Sequence, residues 1–455
     1  IGVLQPRYDV VVVGAGLIGL ATAFELARQG ARVAVVEAGR PGSGASTVAA
    51  GMLAPGHEAK ADPLLRELGL YSNRLWATFA AEVERASGVE TGYVGHGIAV
   101  LATEPGEAAE LAHRASTGGG EDERGDGRNG GNGGNGGNAR IGGSGGNGGN
   151  GGHSGNRGIG GNSGIGGIAA PGPGRSETSE PSPSSLGTRP RGGSGEEDEG
   201  GHQDWHEAGA GFRPPLWLSR DDLPTHLSVF PRVLGALYFP EGGHVDPVAT
   251  VRALVVALAA SGATLLTGTR VNGWRDEPAS GGRRLVAALT PAGEVRGGRF
   301  VLAGGVYNAT LAAQVGFALP VVPVKGQILA VEPPASVAAF VRGQVPVFAG
   351  GVYLVPRRDG RLLIGATEEP EAGYDTGVTL GAVGRLATAA QRLLPDLGAA
   401  RWLEARAGLR PGTPDKRPII GEVPGFVNAV VAAGHYRNGI LLAPLTARIV
   451  AELCG

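Results

Sequence analysis

Gly14, Gly16 and Gly19 stand at Gly-x-Gly-x-x-Gly spacing, directly after an apolar run at residues 8–13 and before a helix-forming stretch at 20–27. A second apolar run, 32–36, ends on Glu37. This set can bind a dinucleotide. The first glycine makes the tight turn, and the second lets backbone N–H groups approach a pyrophosphate. The third lets the helix pack against the strand, while the acid accepts from a ribose hydroxyl. The helix N-terminus adds partial positive charge where phosphates would lie. Glu37 disfavours a 2′-phosphate, so FAD or NAD is expected over NADP. In a chain with 84 glycines the triplet alone says little; the strand, the helix and the acid give it weight.

Three further groups could act on a substrate. Arg410 lies in Ala407-Gly408-Leu409-Arg410-Pro411-Gly412-Thr413. Its planar fork suits a carboxylate, to which it can donate two parallel hydrogen bonds. Alone it could equally serve a surface salt bridge; its glycine and proline neighbours place it on a rigid loop, where functional groups concentrate. Tyr353 reads as a core tyrosine or a hydrogen-bonding one, and His435 as a base or a structural histidine. The stretch 42–55 is built of small residues, with Ser46 and Thr47 able to reach phosphate or ribose oxygens; a plain loop is the alternative. No His/Asp/Glu set has metal spacing, and no Ser/His/Asp triad assembles, so no metal site is expected.

The elements that must position these groups follow from pattern. Apolar residues at 64, 65, 68, 75, 76, 79 and 83 predict one or two amphipathic helices over 64–87. Residues 93–101 and 237–239 read as strands, and 248–261 as a helix. Residues 263–266 and 269–271 also read as strands. Alternation over 284–289 and 294–302 predicts a hairpin ending at Gly304. Ser219, three residues before Asp222, reads as a helix N-cap. A β-rich block opens at 324, a helix is expected over 383–394, and a strand over 401–406. A last strand, 427–432, precedes a turn and a terminal helix over 441–453.

Residues 118–201 hold 34 of the 84 glycines, in Asn-Gly-Gly repeats followed by a Ser/Pro/Glu stretch. Such a segment buries too little surface to offset its ordering entropy, and a disordered surface insertion is expected. A collagen-like reading fails, because the repeat lacks proline and its period breaks. Loop closure costs grow only logarithmically, so a folded domain tolerates the insertion.

At 455 residues the chain can hold two domains, and its net charge of −2 recruits neither nucleic acid nor an anionic membrane. Cys454 is the only cysteine, which excludes an intramolecular disulfide and a Cys-ligated metal. No long apolar run suggests stable membrane insertion. No signal-peptide pattern precedes the first strand, and a short piece is expected upstream of Ile1. A cytoplasmic location is expected.

Together with Ala49-Ala50-Gly51-Met52, Val324-Lys325-Gly326-Gln327, Tyr353-Leu354-Val355-Pro356-Arg357 and Gly434-His435-Tyr436-Arg437-Asn438-Gly439-Ile440, these motifs resemble the D-amino-acid oxidase superfamily of FAD-dependent oxidoreductases. The likeness is strongest to the glycine oxidases of thiamine biosynthesis, and it spans the chain except 118–201. It implies an α/β plus α+β fold: a Rossmann-like doubly wound FAD-binding domain and an antiparallel-sheet substrate domain, interrupted by the Gly-rich insertion. The FAD domain would take residues 1–90, 241–318 and 401–455, and the substrate domain 91–117, 202–240 and 319–400.

The implied reaction is hydride transfer from the Cα of glycine or another small amine to non-covalent FAD. O2 would then be reduced to H2O2, and the imine hydrolysed or handed to thiazole synthase. A D-amino-acid dehydrogenase and a sarcosine-oxidase-like enzyme are alternatives, as is a non-catalytic interaction protein of another class. A homo-oligomer is compatible with the likeness.

Residue by residue, the resemblance makes Arg410 the carboxylate clamp and Tyr353 its hydrogen-bonding partner, with Arg437 close to the substrate. It implies cofactor contacts at Gly14, Gly16, Leu17, Ile18, Gly19, Glu37 and Ala38, and at Ser46, Thr47, Ala50, Gly51 and Met52. Val271, Gly304, His435, Arg437, Asn438, Gly439 and Ile440 complete that set. Flavin amine oxidation needs no dedicated base, because the cofactor carries the hard step. Two positions depart from the pattern. Tyr307 replaces a usual Trp, and Glu368 replaces an apolar residue near the substrate, where an acid would repel a carboxylate or engage an amine.

Overall fold

The computed structural model describes residues 7–58, 62–117 and 213–455, all of which fall in one compact unit. The expected insertion at 118–201, and the start of the segment 202–240, lie outside the described residues.

Strand β1 (Tyr8–Val13), helix α1 (Leu17–Arg28) and strand β2 (Val33–Val36) form the first βαβ unit, with β1 and β2 parallel. On its other edge β1 pairs in parallel with Gly293–Leu302. The sheet runs Ile419–Glu422, Ala429–Ala433, Gly293–Leu302, β1, β2, Thr264–Leu266. Its first pair is antiparallel and the others parallel. Alternation along β1 serves two cores. Val10 and Val12 face α1 and the helices Pro63–Ser87, Pro247–Ala260 and Ala443–Cys454. Val11 and Val13 face the layer that includes the hairpin Gly273–Ala279/Gly282–Thr290 and the helix Asn308–Ala313.

The helix over 64–87 is a single element of 25 residues, Pro63–Ser87. The Asp62 carboxylate accepts from the Leu65 N–H at its start, and Gly88 closes it in the left-handed region. It buries Trp76, Phe79 and Val83; each such side chain stabilises by roughly 1.5–3 kcal/mol. Trp76 Nε1 (3.0 Å) and Ser72 Oγ (2.7 Å) both donate to the Leu441 carbonyl, which fixes the chain just after the 434–440 turn.

A second sheet runs Arg401–Gly412, Val322–Glu332, Leu362–Gly365, Val352–Pro356, Val347–Ala349, Ile98–Ala102, Gly235–Phe239, Leu216–Ser219. All its pairs are antiparallel except Val347–Ala349 with Ile98–Ala102. One face packs on the helices Ala338–Gly343 and Leu380–Leu393. The other carries Ile328, Tyr353 and Val355 toward Ala50 and Ala54.

Four local expectations need correction. Ser219 ends a strand, and its hydroxyl is spent on Asp222 within a turn, not on a helix N-terminus. Residues 269–271 are not a strand; the sheet edge ends at Leu266, and Val271 is buried beside Val13 and Val36. The strand expected at 93–101 is Ile98–Ala102, with Val94 in an isolated bridge to His244. The Arg410 motif is not a loop. It forms the last part of the edge strand Arg401–Gly412, where Pro411 costs no ladder bond to a missing neighbour.

Candidate active site

A cavity of about 460 Å3 opens at the C-terminal ends of β1 and Gly293–Leu302 and extends to the second sheet. That size suits a cofactor or small ligand. It lies where neighbouring parallel strands feed connections to opposite sides, the usual ligand crevice of such sheets.

At the β1 end the wall is largely main chain. Gly14 has φ +111°, and a Cβ there would overlap the Ala303 carbonyl of the adjacent strand end. Only glycine fits. Helix α1 starts at Gly16 with no side-chain cap from that residue and no acid in its first turn, so the end of its dipole is left for an anion. Ser46, from the small-residue stretch, accepts from the Leu17 N–H (2.9 Å). Glu37 lies on the wall, where Ala15 N–H (2.8 Å) and Gly39 N–H (2.7 Å) donate to its carboxylate. Each oxygen keeps a lone pair for a ribose hydroxyl. A helix end with no acid in its first turn, close-approach glycines and a poised carboxylate are the donor and acceptor set of an adenine dinucleotide. The residues fit FAD.

In the middle, residues 48–54 pass across the cavity. Buried Arg357 holds that loop by donating to the carbonyls of Ala50 and Val245, both at 2.7 Å. Burial pulls its pKa down to about 10. Arg406 donates to the Thr47 carbonyl (2.8 Å), a second tie between sheet and loop.

At the far end the wall is side chain. Alternation in Arg401–Gly412 puts Arg406, Gly408 and Arg410 on one face. Arg410 pairs with Val324, and its guanidinium folds back over Gly326, where a Cβ would overlap it. Its Nη1 donates to the Thr367 carbonyl at 3.0 Å. Tyr353 pairs with Gly365, and its ring lies where a Gly365 Cβ would be. Both side chains, like Ile328 and Met52, line the cavity. Two glycines inside strands thus serve as shelves for the two polar groups.

The 434–440 turn closes one side. His435 is buried, and burial lowers its pKa to about 4; its Nε2 is 3.0 Å from Thr446 Oγ1. It is a neutral, structural histidine at ordinary pH. Tyr436 holds φ +48°, a strained conformation for a bulky residue, and its hydroxyl donates to Glu368. Burial, then that hydrogen bond, raises its pKa to about 12. Arg437 Nη1 lies 3.5 Å from Glu368. Glu368, exposed and off the cavity wall, therefore does not wait for an amine: it is engaged by Tyr436 and Arg437, which hold its carboxyl below the usual range. Tyr307 lines the cavity and stacks on Tyr374 (5.8 Å between centroids).

Of the expected positions, Gly14, Gly16, Leu17, Ile18, Glu37, Ser46, Ala50, Gly51, Met52, Gly304, Tyr353, Arg410 and the turn His435 to Ile440 lie on the cavity wall. Gly19 does not; it packs under Gly14, as its role in close packing requires. Ala38 is exposed, Thr47 bonds the Gly42 carbonyl, and Val271 belongs to the core. Sequence reasoning missed the shelves Gly326 and Gly365 and the Glu368–Tyr436 bond. A lone glycine inside a strand is a signal of close approach and could have found the shelves; nothing local marks the bond. Among the described residues no cluster could hold a metal ion, and no helix is long and apolar enough to cross a membrane.

Comparison with known proteins agrees with this geometry. A glycine oxidase of Geobacillus kaustophilus is 33% identical over 453 residues, covering 98% of this chain and 93% of that protein. The bifunctional protein ThiO/ThiG of Nostoc sp. is 28% identical over 446 residues, 98% of this chain but 52% of that longer protein. The crystal structure of the Geobacillus kaustophilus glycine oxidase superposes with a TM-score of 0.71 at 32% identity, covering 99% of this chain and 95% of that one. The model of the FAD dependent oxidoreductase family matches residues 9–130 and 187–453, passing over 131–186. With its dinucleotide crevice and the residues around it, the chain belongs to that family of FAD-dependent oxidoreductases.

Proposed function

We propose that the chain oxidises glycine, or another small amino carboxylate, to its imine with O2 as electron acceptor and H2O2 as product. The observation that carries this reading is that Arg410 and Tyr353 line the same cavity that FAD would enter. Arg410 would bind the carboxylate through its fork, and Tyr353 would donate to a remaining oxygen. Met52 and Ile328 would exclude water on the apolar sides. Bound FAD supplies the two-electron acceptor for the Cα hydride. No described side chain has to act as base: neutral His435 lies buried against Thr446, and a substrate entering as the free amine needs none. Glycine would lose a hydride and a proton to give the imine, which water converts to glyoxylate and ammonia.

The similarity to ThiO/ThiG proteins supports delivery of the imine to thiazole synthesis, with thiazole synthase as the receiving partner. FAD would be held without a covalent bond. Cys454 is buried at the end of the last helix, and burial pushes its thiol up to about 11.

The purified protein should be yellow, release its colour into the supernatant on acid precipitation, and bleach anaerobically with glycine, sarcosine or D-alanine. Admitted air should restore the colour and yield peroxide. A yellow protein that no amino carboxylate bleaches would defeat the reading. Bleaching without reoxidation by air would favour a dehydrogenase.

A further inference from the structure

We infer that Glu368 sets the charge class of the substrate, admitting amines with one carboxylate and rejecting those with two. The inference rests on the amine-oxidase reading above and names a determinant of its specificity.

Arg410 spends its hydrogen bonds on neutral carbonyls, those of Lys325 (3.4 Å) and Thr367 (3.0 Å). Among the described residues no ion pair joins it to an acid. Its remaining N–H donors are left for a ligand. Arg437, the other guanidinium on the wall, is treated differently: Glu368 Oε2 lies 3.5 Å from its Nη1. The second carboxylate oxygen, Oε1, accepts from the Tyr436 hydroxyl, so the acid is held from both sides. Chain connectivity couples the arrangement, because the Thr367 carbonyl that receives Arg410 directly precedes Glu368. Lys416 stands over the Tyr436 ring at 5.9 Å, but it is exposed, and solvent and salt screen it.

The amino-carboxylate end therefore presents one guanidinium with no ion pair of its own among the described residues; Glu368 feels the charge of Arg437 first and that of Arg410 after it. A second carboxylate that turned to Arg437 would meet the anion of Glu368. Both side chains are exposed, so the repulsion is that of like charges in water, modest and weakened by salt. A single carboxylate held on Arg410 meets less of it, since Arg410 ranks behind Arg437 in its effect on Glu368. An acid near a carboxylate-binding pocket is thus not a contradiction: it cancels the surplus arginine and leaves the clamp to Arg410.

The test uses holoenzyme and the ratio of kcat/KM on iminodiacetate, a secondary amine with two carboxylates, to that on glycine, per bound flavin. Glu368→Gln keeps the side-chain shape and an acceptor for Tyr436 while removing the charge. It should raise the ratio roughly fivefold at low salt, the scale expected for one solvent-exposed charge, and less at high salt. Arg437→Gln takes from Glu368 its ion-pair partner and should lower the ratio. Acetate and malonate, titrated against the flavin spectrum, should repeat both trends without turnover, malonate gaining on acetate in Glu368→Gln and losing in Arg437→Gln. Variants that shift the ratio in the same direction, or leave it within twofold of wild type, overturn the inference. Failure of the underlying reading looks different. Wild-type holoenzyme would then be neither bleached by glycine nor perturbed by acetate, and a specificity role for Glu368 would fall with it.

Discussion

Where the cavity meets β1 and α1, the contacts offered to a ligand come from glycines, a helix end and N–H groups, with Glu37 and Ser46 as supports. Where it meets the second sheet, they come from Arg410 and Tyr353, each laid across a glycine on a neighbouring strand. The first end is contained mainly in residues 14–54. The second is assembled by register between strands of one sheet, Val324 opposite Arg410 across a long stretch of chain and Tyr353 opposite Gly365 on the next strand. Backbone recognition suits a cofactor that never changes. Side chains on a sheet can be exchanged without disturbing it, which suits a substrate end that varies. If that division holds, damage at one end should leave the other working.

The largest effect should come from the backbone end. Gly14→Ala places a Cβ on the Ala303 carbonyl at a positive φ, so two packed strand ends must separate. We expect nearly complete loss of FAD from a protein whose circular dichroism remains mixed α/β. Full flavin occupancy in that variant would break the comparison.

Next comes Arg410→Ala at the side-chain end. Losing one member of a partly desolvated charge pair costs on the order of 2–5 kcal/mol. On glycine, kcat/KM should fall roughly 30-fold or more. Flavin content should stay at wild-type level, and oxidation of an amine without a carboxylate should suffer much less. Arg410→Lys should recover only part of the loss, since an ammonium lacks the fork. Equal losses on both amines would return Arg410 to a structural role.

The same division explains what could be read from sequence. The βαβ fingerprint is local, so the spacing of three glycines and Glu37 suffices to define that end. The fork of Arg410 can be singled out from sequence, but its setting cannot. Glycine and proline look like a loop, while the edge position of the strand, a property of the whole sheet, is what makes Pro411 tolerable. Ser219 failed for a related reason: its pairing with Gly235 depends on chain sixteen residues on, and N-cap chemistry is judged within four. The engagement of Glu368 by Tyr436 and Arg437 spans nearly seventy residues, and no local pattern encodes it.

His435 belongs to neither end, and its titration sharpens that statement. Burial lowers its pKa from 6.5 to about 4. Between those values the unfolded imidazole binds a proton and the folded one does not. Stability is therefore present above pH 6.5 and is lost as pH falls toward 4, by about 3 kcal/mol at most. His244, lowered to about 3 by burial, acts with the same sign. His435→Asn should flatten part of the fall in Tm between pH 6.5 and 4.5. Turnover in the variant should show the same pH profile from 6.5 to 8 as wild type. A profile that loses an ionisation in that range would make His435 a participant in the chemistry.

The smallest expected effect tests the shelf. A Cβ at Gly326 would overlap Nη1, Cζ and Nη2 of Arg410, the far end of a flexible side chain, and its φ is not of the kind that demands glycine. The backbone need not move; the guanidinium can. Gly326→Ala should therefore fold with a Tm within a few degrees of wild type and keep its flavin. What changes is where the fork points, and with it the second of two parallel bonds to the substrate. A charged hydrogen bond weakened but not lost is worth about 1–2 kcal/mol. We expect KM for glycine to rise roughly tenfold, with kcat reduced less, because the clamp acts in both the ground and transition states. Combining Gly326→Ala with Arg410→Ala should cost little beyond Arg410→Ala alone, since the added methyl then has nothing to displace. Additive losses in the double variant would show that Gly326 serves the strand pairing and not the arginine.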